Sequence, residues 1–330
     1  MKTYIFDPIS DDALAYARER LDVVTWNDDK INSPSDAEAC IVRTYKIGKK
    51  EIDAMPKLRI IAKHGVGTDN IDIPYAKSKG ILVTNTPTAN SNSVAEQAIA
   101  LIFDCARKIT QAHIDNEKGL EHNQPMYLKG YEITGKKLGL IGIGHIGYLV
   151  GKKLKSGFDM DVYAYDPFIS TEKCESMGFH HIKDIDDIIK TCDIISISVP
   201  LNDTTRNLIS KRELEMMKPT TILINTSRGG IVNEADLYEV LQNKKIWGAG
   251  FDAFVAEPLP PHDKLFNCFN FVGTPHNGAN TYEALTRMGT GSVDEIVRVK
   301  ENKPTLTNLG AALYNFYAAS VVSESSLHKA

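Results

Sequence analysis

A chain of 330 residues with 42% hydrophobic and 24% charged side chains holds enough apolar material for two buried cores and leaves little room for disorder. Its formal charge of −4 comes from 38 basic and 42 acidic side chains spread along the chain, so no basic stripe tracks a phosphate backbone and nucleic-acid binding is not expected. Five scattered cysteines (Cys40, Cys105, Cys174, Cys192, Cys268) form no C-x-x-C pair or metal-ligand spacing, and no stretch approaches the roughly 20 apolar residues of a membrane span. The expectation is a metal-free protein of a reducing, cytoplasmic compartment, with no membrane partner.

In chain order, Met1-Lys2-Thr3-Tyr4-Ile5-Phe6-Asp7 reads as a first strand and lacks the apolar region of a signal peptide. Candidate strands at Tyr4–Phe6, Cys40–Arg43, Leu58–Ala62 and Ile81–Thr84 alternate with helical patterns such as Asp11–Arg20 and Ile73–Ser78. The polar run Asn90-Ser91-Asn92-Ser93 supplies N-cap candidates for one long helix from about Val94 to about Asn116. The alternation then restarts with strand Lys137–Ile141, helix Ile146–Lys155 and strand Asp161–Tyr165. Strands at Ile194–Val199, Thr221–Asn225, Gly248–Phe251 and Asn270–Val272 follow, and a last helix spans about Thr281 to Lys300. Pro304 disfavours helix just before it. Leu313, Tyr314, Phe316 and Tyr317 read as packing residues, and the polar stretch Ser320–Ala330 as an end that frays.

Short apolar strands alternating with helices predict an α/β protein of two doubly wound parallel-sheet domains. The expected division is a discontinuous first domain of residues 1–98 and 300–330, with a second domain of residues 99–299 inserted into it.

The strand ending at Ile141 runs directly into Gly142-Ile143-Gly144-His145-Ile146-Gly147, which opens a helix. In that context Gly142 serves the tight turn, Gly144 admits a pyrophosphate to the backbone, and Gly147 lets helix and strand pack closely. His145 and Ile146 stand at the helix start, where free N–H groups and the positive end of the helix favour phosphate. Asp166, 19 positions after Gly147, closes the next strand. A carboxylate there binds ribose hydroxyls and repels a 2′-phosphate, which favours NAD over NADP.

Polar residues also gather where later strands end, in Asn225-Thr226-Ser227-Arg228-Gly229-Gly230, Phe251-Asp252-Ala253-Phe254-Val255-Ala256-Glu257-Pro258 and Thr274-Pro275-His276-Asn277-Gly278-Ala279. With these segments, with Gly65-Val66-Gly67-Thr68-Asp69-Asn70-Ile71-Asp72, Asn85-Thr86-Pro87 and Val94-Ala95-Glu96, and with the glycine motif and Asp166, the chain from about Arg43 to Ala284 resembles the D-isomer-specific 2-hydroxyacid dehydrogenases. That family contains phosphoglycerate dehydrogenase, D-lactate dehydrogenase and glyoxylate/hydroxypyruvate reductase.

The resemblance implies an NAD-dependent oxidoreductase that interconverts a 2-keto acid and a D-2-hydroxy acid, with residues 1–98 and 300–330 as a flavodoxin-like substrate domain and residues 99–299 as a Rossmann NAD-binding domain. Arg228 would bind the substrate carboxylate and carbonyl with its planar fork, His276 would act as general acid and base, and Glu257 would hydrogen-bond His276 and favour its protonated form. Backbone N–H groups at Val66 and Gly67 would grip the carboxylate, and Arg43 matches a substrate-binding position of phosphoglycerate dehydrogenases. For the cofactor, the resemblance adds Val199, Pro200, Thr205, Thr226, Ser227, Asp252 and Gly278, with Arg228 and His276 also bordering it, and it implies a homodimer. Two other functions remain open at this point: an NAD-sensing, non-catalytic scaffold of the corepressor kind, and a formate dehydrogenase-like enzyme. In the latter, the residue paired with the histidine is Gln, whereas this sequence has Glu257.

Overall fold

The apolar runs form parallel strands, and the computed structural model describes residues 1–120 and 126–310. The readings for Leu313, Tyr314, Phe316, Tyr317 and Ser320–Ala330 lie outside the described residues. The chain divides into two units, Met1–Ser91 with Ala279–Ala330, and Asn92–Gly278. The sequence boundaries at 98/99 and 299/300 differ from this division chiefly in the helix Tyr282–Lys300, which belongs to the first unit.

In the first unit, β1 (Lys2–Ile5), β2 (Asp22–Val24), β3 (Ala39–Val42), β4 (Ile60–Lys63) and β5 (Leu82–Thr84) form a sheet of order β2-β1-β3-β4-β5, with every pairing parallel. This is the flavodoxin-like strand order. Helices Asp11–Arg20 and Tyr282–Lys300 pack together over one face around Ile5, Ile41, Ile60 and Ile296. Gly289 makes that packing close, because a Cβ there would lie 2.4 Å from the Ala13 Cβ. Val42, Ile47, Ile61 and Val83 build the core on the other face.

The second unit holds β6 (Lys137–Ile141), β7 (Asp161–Tyr165), β8 (His180–His181), β9 (Ile194–Ile197), β10 (Ile222–Asn225), β11 (Gly248–Phe251) and β12 (Phe271–Gly273). They form a parallel sheet of order β12-β11-β10-β9-β6-β7-β8. From β8 to β11 this is the Rossmann order, extended by β12, and its switch point lies between β6 and β9. Strands buried on both faces explain why β9 and β10 read as nearly continuous apolar runs, Ile194-Ile195-Ser196-Ile197 and Ile222-Leu223-Ile224-Asn225. Among the described residues no helix is long and apolar enough to cross a membrane.

One predicted element is corrected. The long helix expected from Val94 to Asn116 is two helices, Ser91–Arg107 and Ile109–Glu117, separated by Lys108 in the left-handed conformation at φ 55°. The carbonyls that would continue the first helix are taken from outside: Trp247 Nε1 donates to Cys105 O at 3.0 Å and Tyr131 N–H to Ala106 O at 2.9 Å. Asp104 accepts from Thr110 N–H at 2.9 Å and starts the next helix.

His64 follows β4 at 1% exposure, with both ring nitrogens lacking a hydrogen-bond partner. Burial, reinforced by the charges of Arg43 and Lys63, pushes its pKa down to about 4, although the ring approaches the carbonyls of His64 and Leu285. The folded protein therefore holds a neutral imidazole that the unfolded chain protonates below its ordinary value near 6.5. Stability is unaffected by this group at neutral pH and falls as pH drops from about 6.5 towards 4, by up to about 3 kcal/mol. Urea unfolding across that range will show a shallower loss for His64→Leu than for the wild type; equal slopes would contradict a buried neutral His64.

Candidate active site

Three strand ends in the second unit carry Arg228, Glu257 and His276, the side chains expected from the sequence to react. Beyond β10, Asn225 Oδ1 accepts from Ser227 N–H at 3.1 Å while its Nδ2 donates to Arg228 O at 2.9 Å, so one amide folds the Arg228 turn. Ser227 Oγ ties the turn to β9 through Ile197 O at 2.8 Å. Gly229 lets this turn meet the segment after β11, since a Cβ there would lie 1.9 Å from the Phe254 carbonyl carbon. No larger residue allows that backbone approach.

The segment after β11 carries Glu257. One carboxylate oxygen, Oε1, accepts from Phe254 N–H at 2.9 Å, and the other, Oε2, bonds His276 Nδ1 at 2.9 Å. Burial alone would raise the Glu257 carboxyl. The hydrogen bonds from His276 and Phe254, with the charges of His276 and Arg228, outweigh it and hold the group below its usual value. Because the carboxylate only accepts, Nδ1 is the nitrogen that carries hydrogen. Nε2 then remains available on a side chain that is 42% exposed.

His276 itself sits at φ 52°, an unusual conformation for a side-chain-bearing residue. Asp252 maintains it. Its Oδ1 accepts from Thr274 Oγ1 at 2.6 Å and from Asn277 N–H at 2.7 Å, and its Oδ2 from Gly278 N–H at 2.8 Å. At 2% exposure this carboxylate clamps both sides of the His276 turn. The sequence pointed to Asp252 only as a cofactor neighbour; its clamping role depends on the β11–β12 register, which no local pattern encodes. Glu234, which accepts from Val255 N–H at 2.7 Å and supports the Glu257 segment, carried no sequence signal at all.

The glycine motif lies at the end of β6, beside the switch point. Gly142, at φ +88°, packs so closely on β9's continuation that a Cβ would lie 2.6 Å from Ser198 O and 2.7 Å from Val199 Cγ1. A Cβ on Gly147 would lie 2.2 Å from Gly142 O. A Cβ on Gly144 would meet no protein atom within 4 Å. The two outer glycines thus serve the fold, and the middle one opens on space over the start of helix His145–Phe158. Burial lowers the pKa of His145 in that first turn and favours its neutral ring.

Asp166 follows β7 at 3% exposure and accepts from Ile143 N–H at 3.1 Å and Phe168 N–H at 3.0 Å, which fixes its carboxylate against the glycine turn. It lines a cavity of about 190 Å³ with Tyr165, Pro167, Ile169, His181, Ile182 and Lys183. After β9, Thr205 Oγ1 donates to Pro200 O at 2.6 Å and accepts from Asn202 N–H at 2.8 Å, closing the turn beyond Val199. Thr226 Oγ1 and Ser198 Oγ are buried without a hydrogen-bond partner among the described residues. The open face above Gly144, the fixed Asp166 carboxylate and these orphaned hydroxyls fit a dinucleotide.

Arg43, Val66 and Gly67 belong to the first unit. Asp7 orders the Arg43 turn, accepting from Arg43 N–H at 2.7 Å and Thr44 Oγ1 at 2.5 Å. The N–H groups of Val66 and Gly67 donate to no group among the described residues.

Comparison with known proteins places this geometry. The family described as "D-isomer specific 2-hydroxyacid dehydrogenase, NAD binding domain" matches residues 99–278. The chain is 38% identical over 304 residues to D-3-phosphoglycerate dehydrogenase of Methanocaldococcus jannaschii, covering 91% of this chain but only 57% of that protein. It is 38% identical over 307 residues to hydroxypyruvate reductase of Thermotoga maritima, covering 90% of this chain and 97% of the relative. Among solved structures, D-lactate dehydrogenase from Aquifex aeolicus, complexed with NAD and lactic acid, superposes with a TM-score of 0.79 at 28% identity, over 92% of this chain and 96% of that one.

Substitution separates the two kinds of glycine. Gly147→Val will lower the thermal midpoint by several degrees, because the helix must retreat from β6. Gly144→Val will leave the midpoint unchanged and weaken NADH binding at least about tenfold, a loss of about 1.4 kcal/mol. Normal NADH titration of folded Gly144→Val would contradict the phosphate site.

Proposed function

Since the chain belongs to the D-isomer-specific 2-hydroxyacid dehydrogenase family, we propose that it interconverts a 2-keto acid and a D-2-hydroxy acid with NADH. The observation that carries this reading is the hydrogen bond of 2.9 Å between Glu257 Oε2 and His276 Nδ1, on a half-exposed ring whose Nε2 makes no hydrogen bond among the described residues. A carboxylate-backed imidazole is a proton-exchanging device. Formate oxidation exchanges no such proton, so the Glu257–His276 pair speaks for the keto-acid reaction.

The residues divide the work. Arg228 offers a planar, permanently charged fork to the substrate carboxylate and carbonyl oxygen. Polarising the carbonyl makes its carbon a better hydride acceptor, and NADH, when bound, supplies that hydride. As the carbonyl carbon becomes tetrahedral, His276 Nε2 donates a proton to the nascent alkoxide; in the reverse direction Nε2 takes the hydroxyl proton. Glu257, held anionic by its hydrogen bonds, stabilises the charged ring and fixes its tautomer. The unpaired N–H groups of Val66 and Gly67 suit a carboxylate. The Arg43 side chain, with no hydrogen bond or ion pair among the described residues, suits a second anionic group on the substrate.

For the cofactor, the residues that would hold it are Gly144, His145 and Ile146 at the phosphates, Asp166 at the adenosine ribose, and Val199, Pro200, Thr205 and Thr226 along its length. The buried Asp166 carboxylate supports NAD over NADP, because a 2′-phosphate would meet like charge. Free, buried cysteines support work in a reducing cytoplasm. The homodimer that membership of this family leads one to expect is resolved directly by sedimentation velocity.

In assays with pyruvate, glyoxylate, hydroxypyruvate and 3-phosphohydroxypyruvate, the wild type will oxidise NADH with at least one of them. His276→Ala will lose about a hundredfold to ten-thousandfold in kcat. Arg228→Lys will also fail, because an ammonium cannot reproduce the two-pronged geometry. Both variants will bind NADH as the wild type does. Near-full turnover by either would contradict the assignment.

A further inference from the structure

The Gly65-Val66-Gly67 turn is held from below by a buried chain of polar groups, all within the first unit. Thr86 fixes Gly65, its Oγ1 accepting from Gly65 N–H at 3.1 Å while Thr86 N–H donates to Gly65 O at 3.0 Å. Asn85 Nδ2 donates to Val66 O at 2.9 Å. The backbone of Asn85 is in turn gripped on both sides by one hydroxyl: Asn85 N–H donates to Thr307 Oγ1 at 3.1 Å, and Thr307 Oγ1 lies 3.0 Å from Asn85 O. Thr307 is anchored by Glu295, whose Oε1 accepts from Thr307 N–H at 3.0 Å and whose Oε2 accepts from Leu306 N–H at 3.0 Å. Asn85, Thr307 and Glu295 are 3%, 7% and 3% exposed.

We propose that Glu295, acting through Thr307 and Asn85, is a positioning residue that aims the free N–H groups of Val66 and Gly67 at a substrate carboxylate. Two features separate this from ordinary packing. Asn85 uses only the amide end that grips Val66; its Oδ1 is buried without a partner among the described residues. A side chain selected for stability alone would satisfy both ends. The amide cannot be flipped, because its oxygen would then face the Val66 carbonyl. The chain also ends on a turn whose Val66 and Gly67 N–H groups have no acceptor among the described residues, so its rigidity is delivered where a ligand would use it. Glu295 suits its place because a carboxylate presents two acceptors to two adjacent N–H groups, whereas a glutamine offers one acceptor and sets a donor against the other.

The inference rests on the keto-acid reading of the site. Its test compares wild type, Thr307→Val, Thr307→Ser and Glu295→Gln, measuring KM and kcat for whichever of the four keto acids the wild type reduces, NADH affinity and thermal midpoint. Thr307→Val and Glu295→Gln will raise KM at least about fivefold, or about 1 kcal/mol, with NADH affinity unchanged. Thr307→Ser, which keeps the hydroxyl, will restore KM. A lowered midpoint with KM unmoved in folded Thr307→Val or Glu295→Gln overturns the inference and leaves the keto-acid reading intact. A wild type that reduces none of the keto acids overturns both.

Discussion

The hydrogen bond between Glu257 and His276 is the interaction on which the proposed chemistry turns, and several loops of the second unit hold its two partners in place. Glu257 is anchored by Phe254 N–H, and the neighbouring Val255 N–H by Glu234. His276 sits in a left-handed turn that Asp252 clamps from both sides. Gly229 admits the Arg228 turn against the backbone at Phe254, close enough for the guanidinium charge to act on Glu257. Together these supports fix the mutual geometry of the three side chains.

A parallel sheet explains why three segments far apart in sequence converge. In β10, β11 and β12 all strands point the same way, so the residues after each carboxyl end emerge along one edge. The register pairs Asn225 with Phe251 and Phe251 with Gly273, which sets the Arg228, Glu257 and His276 segments side by side. The glycine turn after β6 and the Val199 turn after β9 leave the same edge, at the switch point. Conformational freedom is spent sparingly there. Within the glycine motif Gly142 and Gly147 are forced by backbone contacts under 3 Å, and Gly144 alone is left open for a ligand.

Much of this was readable in the sequence because its signals are local. Apolar runs bounded by turn residues located β6, β7 and β11 to the residue, and the glycine motif with Asp166 needed only a strand before it and a strand after it. What escaped notice depends on distant parts of the chain. β2 and β8 are edge strands of 3 and 2 residues, too short to show a period. The break at Lys108 is imposed by Trp247 and Tyr131, which compete for carbonyls that a helix would otherwise use. Asp252 reads in the sequence as a cofactor neighbour and also holds the His276 turn, while nothing local marks Glu295 as the buried carboxylate that binds Leu306 and Thr307. Side chains that hold loops through backbone N–H groups leave no pattern to read, since their partners are set by tertiary contact.

The most direct test of the central claim is the crystal structure of the protein with NADH and oxamate, an unreactive mimic of a 2-keto acid. The account predicts the oxamate carbonyl oxygen within hydrogen-bond distance of both His276 Nε2 and the Arg228 guanidinium, with Glu257 still on Nδ1. Oxamate bound away from His276, or His276 turned from Glu257 to make another contact, would contradict it.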